Sequence, residues 1–343
     1  MKKNILSIFQ YLLFLGIGIF LVWWSVSKIE KDDWVEIRAA IQNADYWLVA
    51  PVVIILLISH YSRALRWKIL MQPLGYKPSI INTFLAVLVG YLANLAIPRL
   101  GEVLKCSILA RYEKVPVDKL VGTIVAERAF DLVCLIIVFA ITILLQIDII
   151  GSFAGDMLGN LLKSKTGSFT PWRIVIGLAI LIMLFLLVRF IFRRYAHVAF
   201  IIKIKSLFKG IWQGIVSVKD VKQKGWFFFH TALIWVCYLY SIRIGFLAMQ
   251  QTEPYGVKEA FSVLSMGSVG MIATQGGIGA YPVLVQETMM LYGISENIGK
   301  AFGWLLWLLQ FFMVLVFGFI SLGLLPVLNR KKNTHEKSGL HTT

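Results

Sequence analysis

The chain has 343 residues, of which 58% are hydrophobic and only 15% are charged. A soluble domain could not bury so much apolar surface, so the composition excludes a soluble protein and indicates an integral membrane protein. The net charge of +16 would suggest a nucleic-acid partner in a soluble protein, but in a membrane protein it indicates topology, and we expect no nucleic acid.

Eight apolar segments follow one another along the chain, and several pass the roughly 18 residues that a spanning helix needs. The first follows Lys2 and Lys3. It is longer than the apolar region of a signal peptide and lacks a small-x-small cleavage site, which predicts a membrane anchor. The segments are 5–26, 47–62, 80–97, 118–147, 174–192, 226–249, 259–292 and 301–328.

Basic residues concentrate at the amino terminus, in the loop after the second segment, in 189–224 and in the tail. The positive-inside rule predicts that these regions, and both termini, are cytoplasmic. If every segment were one full crossing, 193–224 would lie outside. The conflict disappears if 80–110 enters and leaves from the cytoplasmic side and 259–292 from the outer side. The loop after the second segment carries Arg63, Arg66, Lys68 and Lys77.

Both proposed hairpins contain residues that break helices. Pro98 and Gly101 interrupt the first, and the run 274–279 with its three glycines interrupts the second. Broken backbone at membrane depth is tolerated where it is buried in protein or lines a wet cavity. The alternative interpretation is a pair of kinked full spans.

The predicted fold is therefore an all-α polytopic membrane protein with about six full spans and two re-entrant helical hairpins. Residues 1–328 form one membrane domain, with a possible inverted repeat of 1–150 and 172–328, a common construction in transporters. Residues 329–343 are expected to form a basic, disordered cytoplasmic tail.

Residues 198–218 repeat apolar side chains at helical spacing, with lysines between them. This pattern predicts an amphipathic helix on the cytoplasmic surface, attracted to anionic lipid. The alternative is an ordinary loop helix that packs on the bundle.

Eight ionisable residues lie in or beside apolar segments, where each is costly unless it is paired or faces water. They concentrate in the stretches 98–105 and 127–131. Arginine at the start of a returning half-helix, together with free backbone N–H groups, is a suitable receptor for a phosphate. The alternative is that the charges only neutralise one another and hold helices together. The eight are Arg99, Glu102, Lys105, Glu127, Arg128, Asp131, Arg243 and Glu287.

No enzyme motif is present. The five histidines are scattered without ligand spacing, and the three cysteines lie in or beside membrane segments. There is no Walker loop, nucleophile elbow or zinc-protease motif. We therefore expect no enzymatic activity, no cofactor and no metal, and any transport must be downhill, ion-coupled or driven by a partner.

The motif Pro98-Arg99-Leu100-Gly101-Glu102, the motif Glu127-Arg128-Ala129-Phe130-Asp131 and the later glycine turn resemble the membrane region of lysyl-phosphatidylglycerol synthases, within a wider group of flippase-like membrane proteins. Arg63-Ala64-Leu65-Arg66-Trp67 is also similar to the family pattern. The resemblance covers roughly residues 5–328. It implies the translocating half of those synthases, without their soluble aminoacyl-transfer domain. Where the family often has Pro before the glycine pair and an acid soon after it, this chain has Thr274-Gln275 and Tyr281-Pro282.

The leading functional prediction is a translocase in the cell inner membrane, which moves a phospholipid or a polyprenyl-phosphate-linked lipid. The alternatives are a secondary transporter of a small soluble ion and a membrane scaffold for a synthase or glycosyltransferase partner. The predicted substrate-binding residues are Arg99, Glu102, Lys105, Glu127, Arg128, Asp131, Gly276, Gly277 and Gly279.

Overall fold

The computed structural model describes residues 31–97, 99–147 and 221–339, with a few isolated positions (16, 19, 20, 22, 23, 27 and 219). The predicted spans 5–26 and 174–192 and the predicted amphipathic helix 198–218 lie almost wholly outside these residues. Every regular element within the described ranges is helical. The helices are α1 Lys31–Gln42, α2 Val49–Met71, α3 Ile80–Ala96, α4 Leu100–Glu113, α5 Val117–Leu145, α6 Lys224–Leu247, α7 Val257–Ala273, α8 Ala280–Met290 and α9 Glu296–Gly339.

Four of these helical stretches are long and apolar enough to cross a membrane, and they correspond to four of the six predicted full spans. Their outward faces carry large exposed apolar side chains, such as Ile136, Leu144 and Phe319, as helices in contact with lipid require. The all-α polytopic membrane fold is therefore confirmed. The four stretches are Tyr46–Leu74, Val117–Leu145, Lys224–Leu247 and Glu296–Arg330.

The first predicted hairpin is formed by α3 and α4, which pack against each other. The chain reverses at Ile97, which is extended, and at Arg99, which has a left-handed backbone with φ of 66°. The two arms approach closely because two glycines face each other: a Cβ on Gly101 would overlap with the carbonyl oxygen of Gly90.

The second predicted hairpin is formed by α7 and α8, which also pack together. Gly276, Gly277 and Gly279 have φ values of 59°, 74° and 72°. Residues with a Cβ rarely adopt this left-handed conformation, so the glycines supply the backbone geometry of the turn.

Helices α2 and α6 lie side by side and run in opposite directions. At one end the Nε2 of Gln72 donates to the Oε1 of Gln223 at 3.4 Å, and at the other the N–H of Asp45 donates to the carbonyl of Ala248 at 2.8 Å. The first hairpin follows α2 and the second follows α6, so the hairpins start from opposite ends of the molecule. Their tips meet where the Nε2 of Gln275 donates to the carbonyls of Leu95, at 2.8 Å, and Ala96.

The remaining long helices pack reciprocally. The end of α5 contacts the beginning of the second hairpin, where the Nε2 of Gln146 donates to the carbonyl of Lys258 at 3.3 Å. One turn earlier on α5, the hydroxyls of Thr142 and Ser265 lie 2.8 Å apart. The last part of α9 contacts the beginning of the first hairpin through a paired amide contact between Asn82 and Asn329, with two bonds of 2.9 Å. The order span, hairpin, span thus occurs twice with opposite orientation. Re-entry of each hairpin from one membrane face stays a prediction.

Two sequence-based expectations are wrong. Helix α2 continues to Met71, so Arg63 and Arg66 lie inside a helix and not in a cytoplasmic loop. Hydropathy falls at Arg63, but the helix continues because its charged side chains find buried partners. Helix α9 continues to Gly339, so 329–339 is helical and not disordered. Extending an existing helix costs far less than nucleating one, and no proline follows Pro326 to end it.

Candidate functional site

A cluster of ion pairs joins α2, α4 and α5 in the interior of the protein. On α5, Asp131 accepts a hydrogen bond of 2.6 Å from Arg63 Nη1 and another of 2.6 Å from Arg66 Nη2. Glu127, one helical turn earlier, accepts 2.9 Å from Arg63 Nη1. Each carboxylate therefore meets a guanidinium from α2.

Lys105 brings α4 into the same cluster. Its Nζ donates to Glu127 Oε2 at 3.0 Å and lies 4.6 Å from the centre of the Trp67 ring. The side chain of Glu127 is fully buried. A buried carboxylate is stable only when paired and hydrogen-bonded, and both of its oxygens have cationic donors here.

Arg128 is held much more loosely than the other cations. Its Nε lies 3.2 Å from Glu102 Oε1, and its Nη1 lies 3.8 Å from Asp131 Oδ2. The Arg128 side chain is 43% exposed, whereas that of Arg63 is 6% exposed and that of Arg66 is fully buried. Arg128 is therefore the cation of the cluster with room to move.

A cavity of about 470 Å³ lies between the two halves, next to the cluster. Its polar end contains Arg63, Arg128 and Asp131, and most of its remaining wall is apolar or aromatic. Both hairpin tips contribute to the wall, through Leu95 and Gly276. A volume of this size matches a small ligand or a lipid headgroup, for which pockets range over roughly 300–1,000 Å³.

His60 also lines the polar end of the cavity. The residue is only 5% exposed, and neither ring nitrogen has a hydrogen-bond partner among the described residues. Its ring lies 4.6 Å from the ring of Tyr91, another residue of the cavity wall. A buried imidazole without partners has hydrogen-bonding capacity to offer a ligand.

Five of the predicted site residues come together in the structure. Glu127, Asp131 and Lys105 belong to the buried part of the cluster, and Glu102 and Arg128 form its more exposed edge. Gly276 lines the cavity, while Gly277 and Gly279 complete the turn beside it.

Arg99 begins the returning half-helix as predicted, but its side chain is exposed and lines neither the large cavity nor the small pocket beside Glu102. The expectation of free N–H groups at this helix start is also wrong. The N–H of Leu100 donates to Ile97, and that of Glu102 to Arg99. The N–H of Gly101 donates to the side chain of Asn94 at 2.8 Å. A side chain from the neighbouring arm thus takes the place of the expected anion.

Two other embedded charges lie apart from the cluster. Arg243 is half-buried on α6, and its Nη1 has no partner among the described residues. Glu287 on α8 is exposed.

The sequence analysis missed Arg63 and Arg66 as site residues and did not single out His60. The sequence nevertheless contains a spacing pattern that includes all three residues. His60 and Arg63 are three residues apart, as are Arg63 and Arg66, so the three lie along one helix face. This helix face could be recognised only on the assumption that α2 continues past its apolar part.

Comparison with known proteins identifies a family. Residues 11–318 match the family described as the lysylphosphatidylglycerol synthase TM region. A UPF0104 membrane protein of Methanocaldococcus jannaschii is 29% identical over 133 residues, which cover 38% of this chain and 36% of that protein. The chain thus aligns with about a third of this relative's length. No solved structure matches.

Proposed function

Because the chain belongs to the family of the lysylphosphatidylglycerol synthase TM region, we propose that it is a translocase for a polar lipid headgroup. The proposed substrate is a phospholipid or a polyprenyl-phosphate-linked lipid. The proposed location is the cytoplasmic membrane, with both termini in the cytoplasm as the basic residues predict. The chemistry is binding and release without a covalent step.

One observation carries this proposal: a cavity with cations at one end and apolar walls lies between two oppositely oriented halves. A headgroup phosphate fits the cationic end, because guanidinium groups match phosphate oxygens in charge and geometry. The apolar walls accept the glycerol and the first part of the tails. In transporters built from inverted repeats, the site lies where the broken helices meet.

The contacts of the cluster also suggest which residues stay fixed and which move during transport. Arg63, Arg66 and Lys105 hold α2, α4 and α5 together as a fixed unit, because each is paired with a buried carboxylate. Arg128 follows the headgroup, because it is loosely bound and faces the cavity. The hairpin tips joined by Gln275 separate as access changes from one membrane face to the other.

The test is headgroup movement in proteoliposomes that contain acyl-labelled phospholipids, followed with a membrane-impermeant reductant. We expect Arg128→Gln to lose most of the translocation. The matched control is Lys222→Gln, an exposed residue in the turn before α6, which should retain it. Translocation by Arg128→Gln at the wild-type rate would contradict the proposal.

A secondary transporter of a small soluble anion is the second candidate, because the cavity volume also suits such a ligand. It differs in one measurable respect. Transport of a radiolabelled soluble phosphate ester, without movement of labelled lipid, would favour this candidate.

A further inference from the structure

Assuming the proposed translocase function, we infer from the charge balance of the site that the substrate is a phosphodiester lipid with one negative charge and no ammonium group. The class is an acidic glycerophospholipid with a neutral polar headgroup. The inference depends on which charges in the cluster are already neutralised and which polar atoms remain available to a ligand.

Among the residues that the structure describes, the cluster holds four cations and three carboxylates, and therefore one unmatched positive charge when His60 is neutral. A single phosphodiester restores neutrality, whereas a pyrophosphate adds more negative charge than the site can balance. The charged members are Arg63, Arg66, Lys105, Arg128, Glu102, Glu127 and Asp131.

Several polar groups at this end of the cavity can donate a hydrogen bond to a ligand. The Nε of Arg63 is buried and has no partner among the described residues, and His60 offers an imidazole N–H. Arg128 adds a half-exposed guanidinium at the same end of the cavity. These groups are donors that suit phosphate oxygens.

An ammonium group on the headgroup would cancel the charge of its own phosphate and leave the positive charge of the cluster unbalanced. Glu127 is fully buried between Lys105 and Arg63, and both oxygens of Asp131 are bound by guanidinium groups. Asp131, the acid among the described residues that lines the large cavity, therefore has both oxygens bound already. Glu102 is 28% exposed, but it is paired with Arg128. Ethanolamine and aminoacylated headgroups are therefore disfavoured, because their ammonium would have to displace a cation of the cluster from its carboxylate.

The test is ligand-dependent thermal stabilisation of the full chain in mild detergent. The probes are short-chain phosphatidylglycerol, phosphatidylethanolamine, aminoacylated phosphatidylglycerol, and glycerophosphoglycerol, which is the same headgroup phosphodiester without tails. We expect phosphatidylglycerol to bind about tenfold or more tightly than either ammonium-bearing lipid, since a charge-assisted hydrogen bond contributes that much or more.

Three variants assign the effect to the site. Arg128→Gln should abolish the preference for phosphatidylglycerol, and Arg128→Lys should keep the preference because it keeps the charge. His60→Leu should weaken phosphatidylglycerol binding about tenfold while the order of the lipids stays the same. The control Lys222→Gln should change nothing.

The possible failures are distinguishable. Equal binding of phosphatidylglycerol and phosphatidylethanolamine would overturn the inferred class, even if labelled lipid still moved in proteoliposomes. Stabilisation by glycerophosphoglycerol as strong as by the lipid would show that the phosphodiester need not come from a lipid. Selective lipid binding without movement of any lipid would support the inferred class and contradict the translocase.

Discussion

The carboxylate of Glu127 is fully buried and has a cationic donor on each oxygen. The carboxylate of Glu102 pairs with Arg128 near the surface, where its own side chain is 28% exposed. The two acids therefore belong to the same cluster, but the loss of each should change the free energy of unfolding by a different amount. Buried pairs are costly to break because the remaining charge loses its compensation, whereas exposed pairs contribute little.

We therefore expect Glu127→Gln to destabilise the protein by about 3–5 kcal/mol, because Lys105 is left buried without a charged partner. The matched control Glu102→Gln should cost no more than about 1 kcal/mol. Thermal unfolding in mild detergent, monitored by tryptophan fluorescence, measures both. Equal midpoints for the two variants would show that Glu127 is not the centre of the cluster.

The sequence was sufficient to predict the acids, Lys105 and Arg128, because each interrupts an apolar segment at obvious cost. It was not sufficient for Arg63 and Arg66. Their partners on α5 are more than 60 positions away, and hydropathy alone ends the second segment before them. The capping of Gly101 by Asn94 was also hidden, since it depends on how the two arms of the hairpin pack.

At the level of elements, the first hairpin depends on the contact between Gly90 and Gly101. A Cβ at Gly101 would meet the backbone of Gly90, which cannot move without separating the arms. The positions of both hairpins could be predicted from Pro and Gly residues. The reason for each glycine differs, however: Gly101 allows close packing, whereas Gly276, Gly277 and Gly279 allow left-handed backbone.

We expect Gly101→Ala to lower the thermal midpoint strongly and to abolish transport, because the overlap forces α3 and α4 apart. The cost should exceed the roughly 1–3 kcal/mol typical of overpacked sites. Gly122→Ala is the matched control, since Gly122 also lies within a helix and its Cβ would meet nothing within 4 Å. Wild-type behaviour of Gly101→Ala would mean that the arms do not pack this closely.

For the whole molecule, the opposite orientation of the halves predicts which end an impermeant thiol reagent can reach from outside the cell. Lys119 and Gln251 are exposed at opposite ends of the molecule. In a cysteine-free background, Gln251→Cys should react with an impermeant thiol reagent on intact cells, and Lys119→Cys should react only after lysis. The reverse pattern would show that the protein has the opposite orientation in the membrane. Labelling of both cysteines on intact cells would contradict the arrangement in which the two hairpins start from opposite ends of the molecule.

The two halves also contact each other where Asn82 meets Asn329, in the last part of α9. The paired amides hold the two Cβ atoms too far apart for a direct disulfide. If access alternates by movement between α3 and α9, a short bis-methanethiosulfonate cross-link between cysteines at these positions should stop transport, and reduction should restore it. Each single-cysteine variant serves as the control. Full transport by the cross-linked double variant would show that this contact stays closed throughout the cycle.

The order in which the cations and acids of the cluster occur along the chain affects how the helices insert into the membrane during translation. Synthesis proceeds from the amino terminus, so α2 and α4 leave the ribosome before α5. The cations Arg63, Arg66 and Lys105 are therefore already present when Glu127 and Asp131 enter the membrane. The acids of α5 need not wait for any later helix to be neutralised, and insertion of α5 becomes dependent on the helices made before it. A nascent chain that lacks α2 should therefore fail to insert α5 during translation.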